Sequence, residues 1–172
     1  MTHYILAGGA DRRTEGYGQR LADTVKQWTK SPIRILSCQF SKPEEEWEEG
    51  LMNWTPWFQQ YFGHDTIVEL ARPQELIDQI KRADVVYLHG GRTRSLVDTL
   101  KPFDELERHF EGKIVIGSSA GTNYLSKVYY SPKQQEMNEG TGIVPLNTIV
   151  HYGATSDGDV SMPLSRWKEI AK

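Results

Sequence analysis

The stretch Lys113-Ile114-Val115-Ile116-Gly117-Ser118-Ser119-Ala120-Gly121 decides how this chain is read. Ile114, Val115 and Ile116 are a short β-branched run, the pattern of a strand buried on both faces. Residues 117–121 then spell G-x-S-x-G, and the segment that follows can start a helix. Strand, sharp turn and helix together hold a serine in a strained backbone conformation, while small neighbours let the helix pack against the strand. Ser119 Oγ is expected at the carboxyl end of a sheet, where open α/β sheets place their sites. The Ala120 N–H, at the helix start, is expected to point where an oxyanion forms. The competing reading of the same residues is a Gly/Ser-rich turn that only packs or that cradles a phosphate.

Working outward, short apolar runs alternate with amphipathic ones. Strands are expected over residues 4–7, 33–40, 66–70, 85–88 and 113–116. Tyr17, Leu21, Val25 and Trp28 form a helical stripe that predicts a helix over 17–29. Pro43 opens an aromatic-rich helical segment that reaches Phe62, with an interruption expected near Pro56. Pro73 opens a helix through Leu76, Ile77 and Ile80. Thr93 or Ser95 is expected to cap a helix holding Leu96 and Leu100, and another helix is expected around 104–110. This alternation predicts an α/β fold, a three-layer sandwich with a mostly parallel central sheet and helices on both faces. Past residue 129 the pattern weakens. Residues 131–140 read as a polar loop, 143–152 hold one more strand, and a terminal helix is expected over 165–171.

The chain has 172 residues, the size of one domain, and a single unit over 1–172 is expected. Lys and Arg number 20 against 23 Asp and Glu, a net charge of -3, which argues against nucleic acid as a partner. An apolar fraction of 38% with 25% charged residues is that of a globular chain rather than a disordered one. One cysteine, Cys38, excludes an internal disulfide and a CxxC zinc site; a small buried residue is the favoured reading for it. No signal-peptide pattern and no apolar run of membrane-spanning length are present, so a cytoplasmic chain with no membrane partner is expected. No metal-ligand spacing, GxGxxG or GxxxxGK[ST] occurs, so no metal or cofactor is expected. Gly8-Gly9-Ala10-Asp11 is too little for a dinucleotide fingerprint.

A serine nucleophile needs a base. His3, His64 and His109 read as structural or solvated. His89 adjoins Gly90-Gly91 at a strand end, and His151 follows Ile149-Val150 downstream of the serine. Both stay candidates, with His151 favoured because the base in elbow-bearing doubly wound folds arrives on a later loop. The glycine pair permits close backbone approach and a second oxyanion donor, or serves only as a tight turn.

Three features together resemble the peptidase E (aspartyl dipeptidase) family, serine peptidases built on a class I glutamine amidotransferase-like fold. They are Val85-Val86-Tyr87-Leu88-His89-Gly90-Gly91 with Thr93 and Leu96, the turn at 117–121, and Gly142-Ile143-Val144-Pro145-Leu146 leading to His151. The resemblance implies cleavage of short peptides, with Ser119 as nucleophile, His151 as general base, and the Gly91 and Ala120 N–H groups as oxyanion hole. It places Gly90 and Arg92 beside the substrate. Arg92 stands where the family often has a third glycine or an Asn, and Ser118 where a larger aromatic is common, so aspartyl specificity does not carry over. Ser119, where related amidotransferase-like folds have cysteine, argues against glutamine-amide chemistry.

For the acid that orients His151, Asp157 leads by proximity in sequence, with Asp159, Glu136, Glu139 and Glu169 as alternatives. The chain ends soon after His151, a shortened C-terminal end relative to the family. Two other readings stay open: a catalytically degenerate ligand-binding module, and a hydrolase of a different amide or ester. A small peptide is the expected substrate, and the chain is expected as a monomer or homodimer. Trp47, Trp54, Trp57, Phe58 and Tyr61 read as core or subunit-interface packing, with the wall of a peptide pocket as the alternative.

Overall fold

Five short strands form the centre of the molecule: β1 (His3–Leu6), β2 (Arg34–Cys38), β3 (Ile67–Leu70), β4 (Val85–Leu88) and β5 (Ile114–Gly117). The computed structural model describes residues 1–9, 12–131 and 135–152, together with 165 and 168. The strands pair in the order β1-β5-β4-β2-β3, and every pairing is parallel. Strand side chains alternate between faces, so one sheet feeds two cores. Ile35, Val85, Tyr87, Ile114 and Ile116 meet Tyr17, Leu21 and Val25 of α1 (Tyr17–Val25) and Trp57, Phe58 and Phe62 of α2 (Trp47–Phe62). Leu36, Cys38, Val86, Leu88 and Val115 meet the other helices: α3 (Leu76–Arg82), α4 (Thr93–Leu100), α5 (Leu106–His109) and α6 (Ala120–Leu125). The expected three-layer α/β architecture is therefore present.

Three local expectations are corrected. The interruption at Pro56 does not occur, and α2 runs unbroken through it. Pro56 is exposed, and so is Met52, the residue whose carbonyl is deprived of its helical donor, at 68%. A proline inside a helix costs about 3 kcal/mol, and burial of Trp57, Phe58 and Phe62 at roughly 1.5–3 kcal/mol each offsets it. The first helix ends at Val25 rather than near 29, which leaves Trp28 half-exposed and stacked on His3 at 4.0 Å. Neither Thr93 nor Ser95 caps α4. Arg92 occupies that position without a side-chain cap, and Thr93 Oγ1 instead accepts a hydrogen bond from Asn123 Nδ2 at 3.1 Å.

A second sheet was only partly expected. β6 (Ser126–Ser131) follows α6 directly, β7 (Glu136–Glu139) falls in the stretch read as a loop, and β8 (Val144–Ile149) is the anticipated late strand. They lie in the order β7-β6-β8, with β6 antiparallel to β7 and parallel to β8. β7 carries Glu-Met-Asn-Glu and is mostly exposed, so it lacks the apolar signature by which a buried strand is recognised. This sheet returns the chain to the large one. After β8, Val150 is buried, and the His151 N–H donates to the Gly8 carbonyl at 2.8 Å. Asp157, Asp159 and Glu169 lie outside the described residues, as does nearly all of the segment 165–171.

Candidate active site

The carboxyl ends of four adjacent strands meet at one rim: Gly8-Gly9 after β1, Ser118-Ser119 after β5, Gly90-Gly91 after β4, and Ser41 beyond β2. Ser119 has φ 47° and ψ −103°, a backbone conformation that non-glycine residues rarely adopt and that costs of order 1–3 kcal/mol. The surroundings over-determine it. A Cβ at position 117 would lie 2.6 Å from the Gly121 backbone, and one at position 121 would lie 2.7 Å from Leu88 Cβ. The two glycines of the G-x-S-x-G turn are therefore packing requirements between strand and helix.

Ser119 Oγ lies 2.8 Å from His151 Nε2, within ordinary hydrogen-bond reach, and the pair is partly open to solvent. Of the two histidines left open by the sequence, His151 is the one beside the serine. His89 is in a different place. Its ring is 1% exposed, lies against Tyr87 and Trp54 at centroid distances of 4.5 and 4.8 Å, and has Nε2 2.8 Å from Ser37 Oγ. Burial pushes its pKa down to about 3, with the Lys42 charge adding to the effect, so the imidazole is neutral. His89 follows Tyr87 by two residues and so faces the α1/α2 layer, and this candidate base is not beside Ser119. Among the other histidines, His3 stacks on Trp28, His64 is exposed, and His109 ends α5.

Gly90 packs directly against the serine: a Cβ there would sit 3.2 Å from Ser119 Cβ. Gly91 has φ 148°, and a Cβ on it would lie 2.5 Å from the Ser41 carbonyl oxygen. Ala120 follows Ser119 at the first position of α6. No backbone carbonyl among the described residues accepts the Gly91 or the Ala120 N–H. Arg92 is exposed, and its backbone N–H donates to the Ser41 carbonyl at 2.8 Å. Glu136 and Glu139 both sit on β7 with exposed side chains. Glu136 is at the end of the small sheet where Ile149 exits towards His151, one strand removed, and Glu139 is at the other end.

Two contributors escaped the sequence reading. Gly8 supplies the carbonyl that anchors the His151 backbone. Gly9 makes room for the ring, since a Cβ there would overlap the imidazole, 2.7 Å from Nε2 and 2.9 Å from Nδ1. The glycine pair itself was the only signal, and it says nothing about a partner so distant in the chain. The aromatic cluster on α2 is core: Trp57 and Phe58 are buried, and Trp54 meets Phe58, Tyr87 and His89. Among the described residues no group of three His, Cys, Asp or Glu side chains is placed to hold a metal ion. No helix among them is long and apolar enough to cross a membrane.

Comparison with known proteins adds to this geometry. The family model for peptidase family S51 matches residues 55–168. A crystal structure of a protein from Listeria monocytogenes EGD-e, provisionally assigned as peptidase E, superimposes with a TM-score of 0.54 at 18% identity. That match covers 74% of this chain and 63% of the other. The crystal structure of a peptidase from an acI-B1 Actinobacterium gives 0.56 at 19% identity, covering 83% of this chain and 64% of that one. At such identities the likeness is one of fold, and this chain spans under two thirds of either structure. No curated protein matches the chain.

Proposed function

We propose that this chain, which belongs to peptidase family S51, is a serine hydrolase that cleaves amide bonds in short peptides. The observation that carries the reading is the 2.8 Å contact between Ser119 Oγ and His151 Nε2, with the serine on a strained turn at the sheet rim. In the proposed cycle His151 Nε2 removes the Ser119 proton as Oγ attacks the peptide carbonyl. The carbonyl oxygen takes up negative charge and is met by the Gly91 and Ala120 N–H groups. Collapse of the tetrahedral species breaks the C–N bond, and His151 delivers its proton to the leaving amine. The same imidazole then takes a proton from water as the water oxygen attacks the acyl-enzyme, and it returns that proton to Ser119 Oγ as the ester bond breaks.

The reading needs His151 to be neutral and oriented. Its main-chain bond to Gly8 and the space left by Gly9 supply part of that orientation. Asp157 remains the first candidate for a carboxylate partner, and Gly90 and Arg92 remain the candidates for substrate contact. The test is Ser119→Ala against wild type, using a panel of dipeptides and esters and labelling by a fluorophosphonate probe. Wild type is expected to turn over at least one peptide and to be labelled, and the variant to do neither. A wild type that binds peptides but shows neither turnover nor labelling would identify a binding module instead. Turnover of esters alone would identify a different hydrolase.

A further inference from the structure

We propose that Ser41 is a positioning residue for the oxyanion hole, setting the direction of the Gly91 N–H through a hydrogen bond to the Gly90 carbonyl. The inference rests on the serine-hydrolase reading above and adds a residue that no motif contains. Its starting point is the strand order. β4 is flanked by β5 on one side and by β2 on the other. The loop after β4 therefore runs between Ser119, carried by β5, and Ser41, which follows β2.

Ser41 is 1% exposed and holds the loop at two points. Its hydroxyl donates to the Gly90 carbonyl at 2.8 Å, and its own carbonyl accepts the Arg92 N–H at 2.8 Å. The Gly90–Gly91 peptide is trans, so its C=O and its N–H point in opposite directions. With the carbonyl turned towards β2 and tied to Ser41, the Gly91 N–H is turned towards β5. That is the side on which Gly90 packs against Ser119, and no backbone carbonyl among the described residues takes up that N–H. Gly91 has φ 148°, which a residue with a side chain rarely adopts, and its α-carbon lies too close to the Ser41 backbone to admit one. The two glycines give the loop freedom to flip this peptide, and the Ser41 hydroxyl removes that freedom. A donor that is already oriented needs no reorganisation when charge appears on the substrate, which is the source of its catalytic value.

Ser41→Ala deletes the tie and leaves the nucleophile and base untouched. The rate of fluorophosphonate labelling, whose transition state also places a charged oxygen in the hole, is expected to fall about 10- to 100-fold, between a loosened donor and a lost one. The pH profile of the labelling rate is expected to match that of wild type, because the Ser119 and His151 side chains are unchanged. Ser41→Thr restores the hydroxyl and is expected to recover most of the rate. In a 15N-labelled sample the Gly91 amide resonance is expected to move in Ser41→Ala and to return in Ser41→Thr, with no substrate present. Labelling of Ser41→Ala at the wild-type rate, or a Thr variant as slow as the Ala one, overturns the proposal. If Ser41→Ala does not fold, Ser41→Cys, a weaker donor, takes its place, and unimpaired labelling there overturns it equally. A wild type that is not labelled at all defeats the hydrolase reading and the catalytic role of Ser41 with it. A Gly91 resonance that ignores Ser41 in an active enzyme defeats the Ser41 inference alone.

Discussion

Among the described residues, two serine–histidine pairs have the same atoms at the same distance. Ser119 Oγ stands 2.8 Å from His151 Nε2, and Ser37 Oγ stands 2.8 Å from His89 Nε2. Only the surroundings differ. Ser119 sits on a strained turn at the rim, with its histidine on a returning segment and glycine backbone on its flanks. Ser37 is a residue of β2, fully buried, and its histidine is enclosed by Tyr87 and Trp54. The buried pair also takes a bond from Gln39 Nε2 at 3.2 Å, which makes it part of a polar network inside the α1/α2 core. A hydroxyl next to an imidazole is thus not in itself a nucleophile and a base. The role proposed for the outer pair needs access for a carbonyl, a donor for its oxygen and a histidine able to become charged, and the inner pair lacks at least the first and the last.

The sharpest way to break this contrast is to remove each serine in turn. Ser119→Ala is expected to lower turnover by at least about four orders of magnitude. Ser37→Ala, measured in the same assay, is expected to leave turnover nearly unchanged and to reduce stability by about 1–3 kcal/mol, because a buried ring nitrogen loses its partner. Comparable losses of turnover in the two variants would erase the distinction. A smaller effect is expected at the turn that receives the outer histidine. Gly9→Ala forces the imidazole to move and imposes a side chain at φ 93°. Displacement by about an ångström is expected to cost about 100-fold in kcat, with a lesser change in KM. Full activity in that variant would show that the ring is held by something other than the space at Gly9.

The gentlest effect per unit of change is a pH dependence of stability. Burial holds the His89 pKa at about 3 in the folded chain, against an ordinary value of 6.5. Between those values the unfolded chain binds a proton that the folded one refuses, so unfolding becomes easier as pH falls. The contribution is fully present above pH 6.5 and is lost on acidification at up to about 1.4 kcal/mol per pH unit. Denaturant titrations at a series of pH values should show that slope in wild type and a shallower one in His89→Gln. Equal slopes would mean that His89 is not the group responsible.

Much of the architecture was legible because the central strands announce themselves. Val85-Val86-Tyr87-Leu88 is buried at every position, and so is Ile114-Val115-Ile116-Gly117. A strand covered on both faces has to be apolar throughout, and that is visible in one dimension. β7 was hidden for the opposite reason: it is short, polar and exposed, held by pairing to β6 rather than by burial. The run of α2 through Pro56 was hidden because its support comes from aromatic packing against the sheet, which local propensity does not record.

The site divides along the same line. The sequence by itself determined the strand–turn–helix around Ser119, since the glycines at 117 and 121 are needed there for steric reasons that any chain would share. It also brought the glycine pair to the end of β4. Only the tertiary structure decided which histidine faces the serine, because the position of His151 depends on β8 pairing with β6 and on a bond to Gly8 at the far end of the chain. It likewise decided that Gly9 leaves space for a ring and that Ser41 faces Gly90. These are contacts between segments remote in sequence, created when parallel strands are placed side by side, and no local pattern of residues encodes which remote segment will arrive.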